Sequence, residues 1–266
     1  MQHRFTNAPS YGLDFSNSLD PWKDMKQLWT EAAADKIAPV TGPSTRTLDP
    51  ITTGTSVLAI QYKDGVMLTA DTLVSYGSLA RFRSCSRIKK VGEYTILGAS
   101  GEYSDFQSTS VMLDELIDRD HAYEDGAKLH PHEIFSYLGR VMYGRRNKFD
   151  PLWNQYILAG FRDGKSFLGQ VDLYGTAFQD STLATGYGAH IARPLMRKAY
   201  RPDLSEEEAR KVLEDCMRVM FYRDARTINK IQLAKVTAEG VVVSEPYSLA
   251  TEWTYNEIAL GYPRPE

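Results

Sequence analysis

The feature that most constrains this chain is a pair of strand-like runs, residues 56–62 and 66–70, separated by Lys63-Asp64-Gly65. That tripeptide has the composition of a hairpin turn, so the two runs are expected to pair antiparallel. Gly54 and Thr55 stand directly before the first run, and Asp71 directly follows the second. A threonine after a glycine thus opens one strand, and an aspartate ends the next.

The same punctuation continues downstream. A strand is expected at 94–99, then a helix with Phe106, Leu113, Leu116 and Ile117 on one face. A second helix opens at Pro131, a residue suited to the first turn, and carries the stripe Ile134, Leu138, Val141 and Met142. Strands return at 155–161 and 166–173 around Arg162-Asp163-Gly164, and helical signal at 189–200. Ser205 and Glu208 form a capping box, followed by the apolar stripe Ala209, Val212, Leu213, Cys216, Val219 and Met220. Two last strands, 231–236 and 241–244, turn at Glu239-Gly240. Antiparallel hairpins separated by helix pairs predict an α+β fold: two sheets face to face with helices outside.

A chain of 266 residues with 42% hydrophobic content suits one sizeable domain. Residues 1–46 differ, being rich in Ser, Thr, Asn, Asp and Pro, and read as a leader. Within it Trp22, Met25, Leu28 and Trp29 recur at helical spacing after Pro21, an expected short amphipathic helix. Residues 47–250 form the expected domain and 251–266 a tail.

The formal net charge of −3 gives no field that favours nucleic acid or an anionic membrane. No apolar run reaches the roughly 18 residues of a membrane helix, and the N-terminus lacks the apolar core of a secretory signal. Cys85 and Cys216 lie far apart, and Cys216 falls on an apolar helix face, so free thiols are expected. Cytosol and nucleus are the expected compartments. No metal or other cofactor is implied: His130-Pro131-His132 has no Cys or carboxylate cluster to complete a ligand set. Arg140, Arg145, Arg146 and Lys148 read as a solvated helix end. Gly186-Tyr187-Gly188 lacks the third glycine of a nucleotide loop. Glu102, Asp105, Asp114 and Glu115 read as an exposed helix face.

A hydroxyl becomes a useful nucleophile when something takes its proton. A threonine at a chain's N-terminus can use its own α-amine, whose reference pKa is about 8. Such a site also needs a nearby lysine, an aspartate to hold it, and a cut directly before the threonine. Gly54-Thr55-Ser56-Val57-Leu58, Thr69-Ala70-Asp71 and Tyr222-Arg223-Asp224-Ala225-Arg226-Thr227 resemble β-type subunits of the 20S proteasome. The resemblance runs from about Thr47 to the last strands. Ser75 to Phe82, Pro151-Leu152-Trp153-Asn154 and Leu183 to Ala189 are similar to one branch of that family, a non-catalytic one.

The resemblance implies a four-layer α-β-β-α sandwich of the N-terminal nucleophile hydrolase type. It places Thr55 at the nucleophile position and Asp71 at the supporting aspartate. Sixteen residues after Asp71, where active members carry lysine, this chain has Arg87. An arginine side chain stays charged at any working pH and is bulkier, so it does not replace the lysine. Losing one acid–base group lowers a rate roughly 10²- to 10⁴-fold. Asp224 keeps the family aspartate, Thr227 replaces the usual serine, and Tyr187 occupies a small-serine position. Processing in the branch implies a cut near Thr47, leaving Thr55 without a free amine.

Asp71 and Arg87 are therefore expected to form a buried or half-buried ion pair, Thr55 to be an ordinary strand residue, and Asp224 to pair locally with Arg223, Arg226 or backbone amides. The site is read as degenerate, and the chain as a structural subunit that enters a stacked-ring complex with other α and β subunits, with assembly chaperones. The tail carries Trp253, Tyr255, Ile258, Leu260 and Tyr262, enough apolar surface to seek cover, and the resemblance implies that it reaches the opposing ring. Two alternatives stay open: an active threonine endopeptidase using Thr55, and a solitary amidase of the same fold.

Overall fold

The structure, a computed structural model, describes residues 49–123, 126 and 128–253. The helix expected around Trp22, the processing position near Thr47, and the tail residues Tyr255, Ile258, Leu260 and Tyr262 lie outside those residues.

In chain order the elements are β1 (Thr52–Gly54), β2 (Val57–Tyr62), β3 (Gly65–Asp71), β4 (Val74–Tyr76), β5 (Leu79–Phe82), β6 (Ile88–Val91) and β7 (Thr95–Glu102), then helices α1 (Tyr103–His121) and α2 (Pro131–Asn147). There follow β8 (Asn154–Arg162), β9 (Lys165–Val171), β10 (Ala177–Gln179) and β11 (Thr182–Ala184), helices α3 (Gly188–Ile191), α4 (Arg193–Ala199) and α5 (Glu206–Arg223), and β12 (Lys230–Thr237), β13 (Gly240–Val243) and β14 (Tyr247–Ser248).

The strands form two antiparallel sheets. The first has the order β10-β9-β8-β7-β1-β4-β5, with β6 also on β7; the second has the order β11-β2-β3-β12-β13, with β14 on β12. Strand side chains alternate between faces, and here both faces are covered. Val57, Ala59, Val66 and Leu68 meet Ile96, Ile157 and Leu168 between the sheets. Their alternates Leu58, Ile60 and Met67 meet Leu213, Met217 and Met220 of α5. On the other side Leu97 and Leu158 meet Leu113 of α1 and Ile134, Leu138 and Met142 of α2. The four-layer α-β-β-α sandwich is therefore the fold, and each fully buried Leu, Ile or Met contributes about 1.5–3 kcal/mol.

The sheets approach closely at Gly98, where a Cβ would lie 2.7 Å from Val57 Cγ1. The capping box of α5 forms as expected: the Glu208 amide donates to Ser205 Oγ at 3.3 Å, and the Ser205 amide to Glu208 Oε2 at 3.0 Å. His130, set aside as a ligand, starts α2, its amide donating to Glu133 Oε2 at 2.7 Å. Both cysteines are free.

Two expectations need correction. The single helix expected at 189–200 is two short ones, α3 and α4, because Pro194 has no N–H with which to continue the first. Glu102 is not on an exposed helix face: it is buried and ends β7, which runs three residues beyond the expected strand.

Candidate functional site

Thr55 sits where the chain leaves one sheet for the other. Gly54 ends β1 in the first sheet and Val57 begins β2 in the second. Thr55 and Ser56 belong to neither, so Thr55 is a crossover residue rather than the strand residue expected. The segment before it is part of the fold. In β1, Thr52 and Thr53 face Tyr76 and Ser75 of β4, while Thr53 and Gly54 face Glu102 and Gly101 of β7. Glu102 Oε2 fastens the start of this strand, accepting from the Ile51 amide at 2.6 Å and the Thr52 amide at 2.9 Å.

The hairpin β2–β3 brings Asp71 beneath Thr55, and the stretch leading into β6 brings Arg87. Arg87 is 1% exposed and is the largest fully buried side chain among the described residues. A guanidinium has five N–H donors, and each finds an acceptor. Nε donates to Asp71 O at 3.1 Å, one terminal nitrogen to Thr55 O at 2.8 Å and Ala99 O at 2.9 Å, and the other to Ser56 O at 2.9 Å and to the Asp71 carboxylate. The second Asp71 oxygen accepts from the Ile228 amide at 3.0 Å. Burial pushes the Asp71 carboxyl up, and the Arg87 charge and the Ile228 amide draw it back. A Cβ on Gly54 would fall on Arg87 Cδ, so the glycine before Thr55 is required by packing alone.

Helix α5 delivers the other side of the site. Asp224 caps its C-terminus, and the Asp224 amide donates to Met220 O at 2.7 Å. Asp224 Oδ2 accepts from Thr55 Oγ1 at 2.6 Å and from Thr227 Oγ1 at 2.8 Å, and Oδ1 accepts from the Arg226 amide at 2.9 Å. The expected local pairing of Asp224 is thus only partly right: backbone and Thr227 are local partners, but the carboxylate also reaches 169 residues back to Thr55.

The 185–188 turn wraps the start of β2. The Val57 amide donates to Thr185 Oγ1 at 2.9 Å, and the Gly188 amide to Ser56 Oγ at 2.8 Å. Tyr187 is 66% exposed and, with Pro50, Gly101, Trp153 and Arg226, lines a cleft of about 540 Å³ beside Thr55.

Chemically, the arrangement is a hydrogen-bonded network around Thr55. The Thr55 hydroxyl donates to a carboxylate. The Arg87 guanidinium donates to the carbonyl oxygens of Thr55 and Ser56. Sequence reasoning brought together Thr55, Asp71, Arg87, Asp224 and Thr227, but missed Glu102 and the carbonyls of Ser56 and Ala99. A strand of three residues carries no periodicity, and backbone acceptors leave no trace in residue type.

Trp253 is the one member of the expected tail set among the described residues. It rests on α5, edge-on to Tyr222 and Phe221 at ring distances of 4.9 and 5.7 Å, and stays 61% exposed. Tyr222 Oη also accepts from the Glu252 amide at 2.8 Å.

A four-layer sandwich with a threonine at the sheet crossover, an aspartate beneath it and a second at the end of α5 defines the proteasome-type architecture. The family model described as proteasome subunit matches residues 51–236, and the chain belongs to that family. It is 47% identical to proteasome subunit beta type-4 of Dictyostelium discoideum over 98% of each chain. It is 53% identical to proteasome subunit beta type-4 of Arabidopsis thaliana, over 80% of this chain and 87% of that one. With proteasome subunit beta type-7 of Saccharomyces cerevisiae the identity is 42%, over 83% and 87%.

Proposed function

We propose that this chain is a non-catalytic, structural subunit of the β ring of the 20S core particle. It encloses the chamber in which neighbouring active subunits degrade ubiquitin-marked proteins, and it works in cytoplasm and nucleus. Its partners are other α and β subunits, with assembly chaperones acting on the way. The leader guides assembly, and the tail after Trp253 supports association of the two β rings.

One observation carries this reading. Arg87, at the position of a titratable amine, is spent on four carbonyls and Asp71. The names of the relatives and the family membership support the assembly part.

The test is the N-terminal sequence of this chain in particles purified through a tag on another subunit. The expected terminus lies upstream of Thr55, near Thr47, with β1 still attached. A chain beginning at Thr55 would favour the active threonine endopeptidase instead.

A further inference from the structure

Helix α2 ends in a conformation that its sequence does not favour. The Phe149 amide donates to Arg146 O at 3.2 Å, and the Asp150 amide to Arg145 O at 3.2 Å. Those two bonds make a Schellman cap, whose first residue past the helix cap takes the left-handed backbone that glycine adopts freely. Here that residue is phenylalanine, at φ 52°. A bulky side chain with positive φ is an outlier that the surroundings must hold in place, and such positions cluster where a protein acts.

The ring is barely covered by the described residues. Phe149 is 89% exposed, more than any other large hydrophobic among the described residues. Glycine at this position would relieve both the strain and the exposed apolar surface. Two further aromatics are exposed on or beside α2. Tyr143, on the outer face of α2, is 53% exposed, and Gly175 comes so near it that a Cβ there would lie 2.6 Å from Tyr143 Cβ. Tyr174, beside that glycine, is 60% exposed.

The charges around the ring say what covers it. Arg145 is paired with Asp150 at 3.3 Å. Arg146 lies over the Tyr143 ring at 5.8 Å and otherwise bonds only to Asn147 Oδ1, at 3.1 Å, and neither Arg146 nor Lys148 has an ion-pair partner among the described residues. An exposed aromatic flanked by unneutralised cations has the form of an interface anchor, for which aromatic and arginine side chains are favoured.

We infer that Phe149 inserts into an apolar pocket on another subunit of the particle, a pocket rimmed by carboxylates that meet Arg146 and Lys148. That the partner is a subunit rests on the ring-subunit reading; the anchor itself rests on the geometry of the cap.

The test replaces Phe149 with p-benzoylphenylalanine in the full chain and irradiates purified particles. The expected result is a cross-link to one other subunit, at a peptide that contains Asp or Glu. Its yield should fall about tenfold when Arg146→Glu and Lys148→Glu are introduced together. Particles of complete composition that give no cross-link, or a cross-link only to a second copy of this chain, would overturn the inference. Loss of folding does not confuse a second measurement, because glycine suits the cap. In cells making both forms, wild-type chain should enter particles about tenfold more than Phe149→Gly, and Phe149→Trp should restore entry. Equal entry of wild type and Phe149→Gly would overturn the inference. Absence of both from particles would sink the ring-subunit reading, and the inference with it.

Discussion

Arg87 is the residue on which the site turns. A lysine has three N–H donors, so it leaves at least two of the five acceptors now served by the guanidinium without a partner in a dry interior. Arg87→Lys is expected to lower stability by roughly 2–6 kcal/mol, read from chemical denaturation, because each orphaned buried acceptor costs about 1–3 kcal/mol. With the proposed cut upstream of Thr55, it is also expected to give no peptidase activity. At this scale the sequence was highly legible for side-chain identity: the resemblance to proteasome β subunits placed Asp71 and Arg87 together beside Thr55 as a buried ion pair. It was silent on the carbonyls of Thr55, Ser56 and Ala99, because every residue has one. It also misread Glu102, whose place next to a helix start concealed a buried carboxylate bonded to two amides of β1.

Elements carry the next level of the account. Strand β1 is three residues long and is held by β4, by β7 and by Glu102. Glu102→Ala removes the acceptor of the Ile51 and Thr52 amides, so hydrogen exchange at residues 51–54 should accelerate at least about tenfold while exchange in β2 and β3 stays unchanged. Helix α5 depends on its first turn. The Ser205 amide, then Arg201 and the Ser205 hydroxyl, hold the Glu208 carboxyl down at about 2, against an ordinary value of 4.5. A depressed carboxyl stabilises the folded state fully above its ordinary value and loses that contribution as pH falls toward about 2. The α5 N-terminus should therefore fray across that acidic window, seen as faster amide exchange at Glu208, and Ser205→Ala should cost about 1 kcal/mol at neutral pH. Long elements such as α5 and β3 could be read from periodicity and caps. β1, β4, β5, β6, β10, β11 and β14, of two to four residues, could not, because their pairing partners and not their own composition define them.

At the largest scale the described residues form a sandwich whose two sheets are each covered by helices on the outside, with the threonine site at the point where the chain crosses between sheets. Its layers were legible because hairpins and helix pairs alternate along the chain; which strand neighbours which was not, since pairing such as β1 between β4 and β7 joins segments far apart in sequence. After β14 the chain returns to the C-terminal half of α5, through Trp253 on Phe221 and Tyr222 and through Arg218 Nε on Ala250 O at 2.9 Å. Deleting the residues after Trp253 should leave this domain folded but weaken association of half-particles on native gels; unchanged yield of full particles would count against a role for the tail between rings. The most direct measurement is the intact mass of this chain after purified particles react with a threonine-directed covalent inhibitor. The account predicts an unmodified mass that still includes β1, in particles whose active subunits are labelled. An adduct on Thr55, at a terminus freed from Gly54, would contradict it.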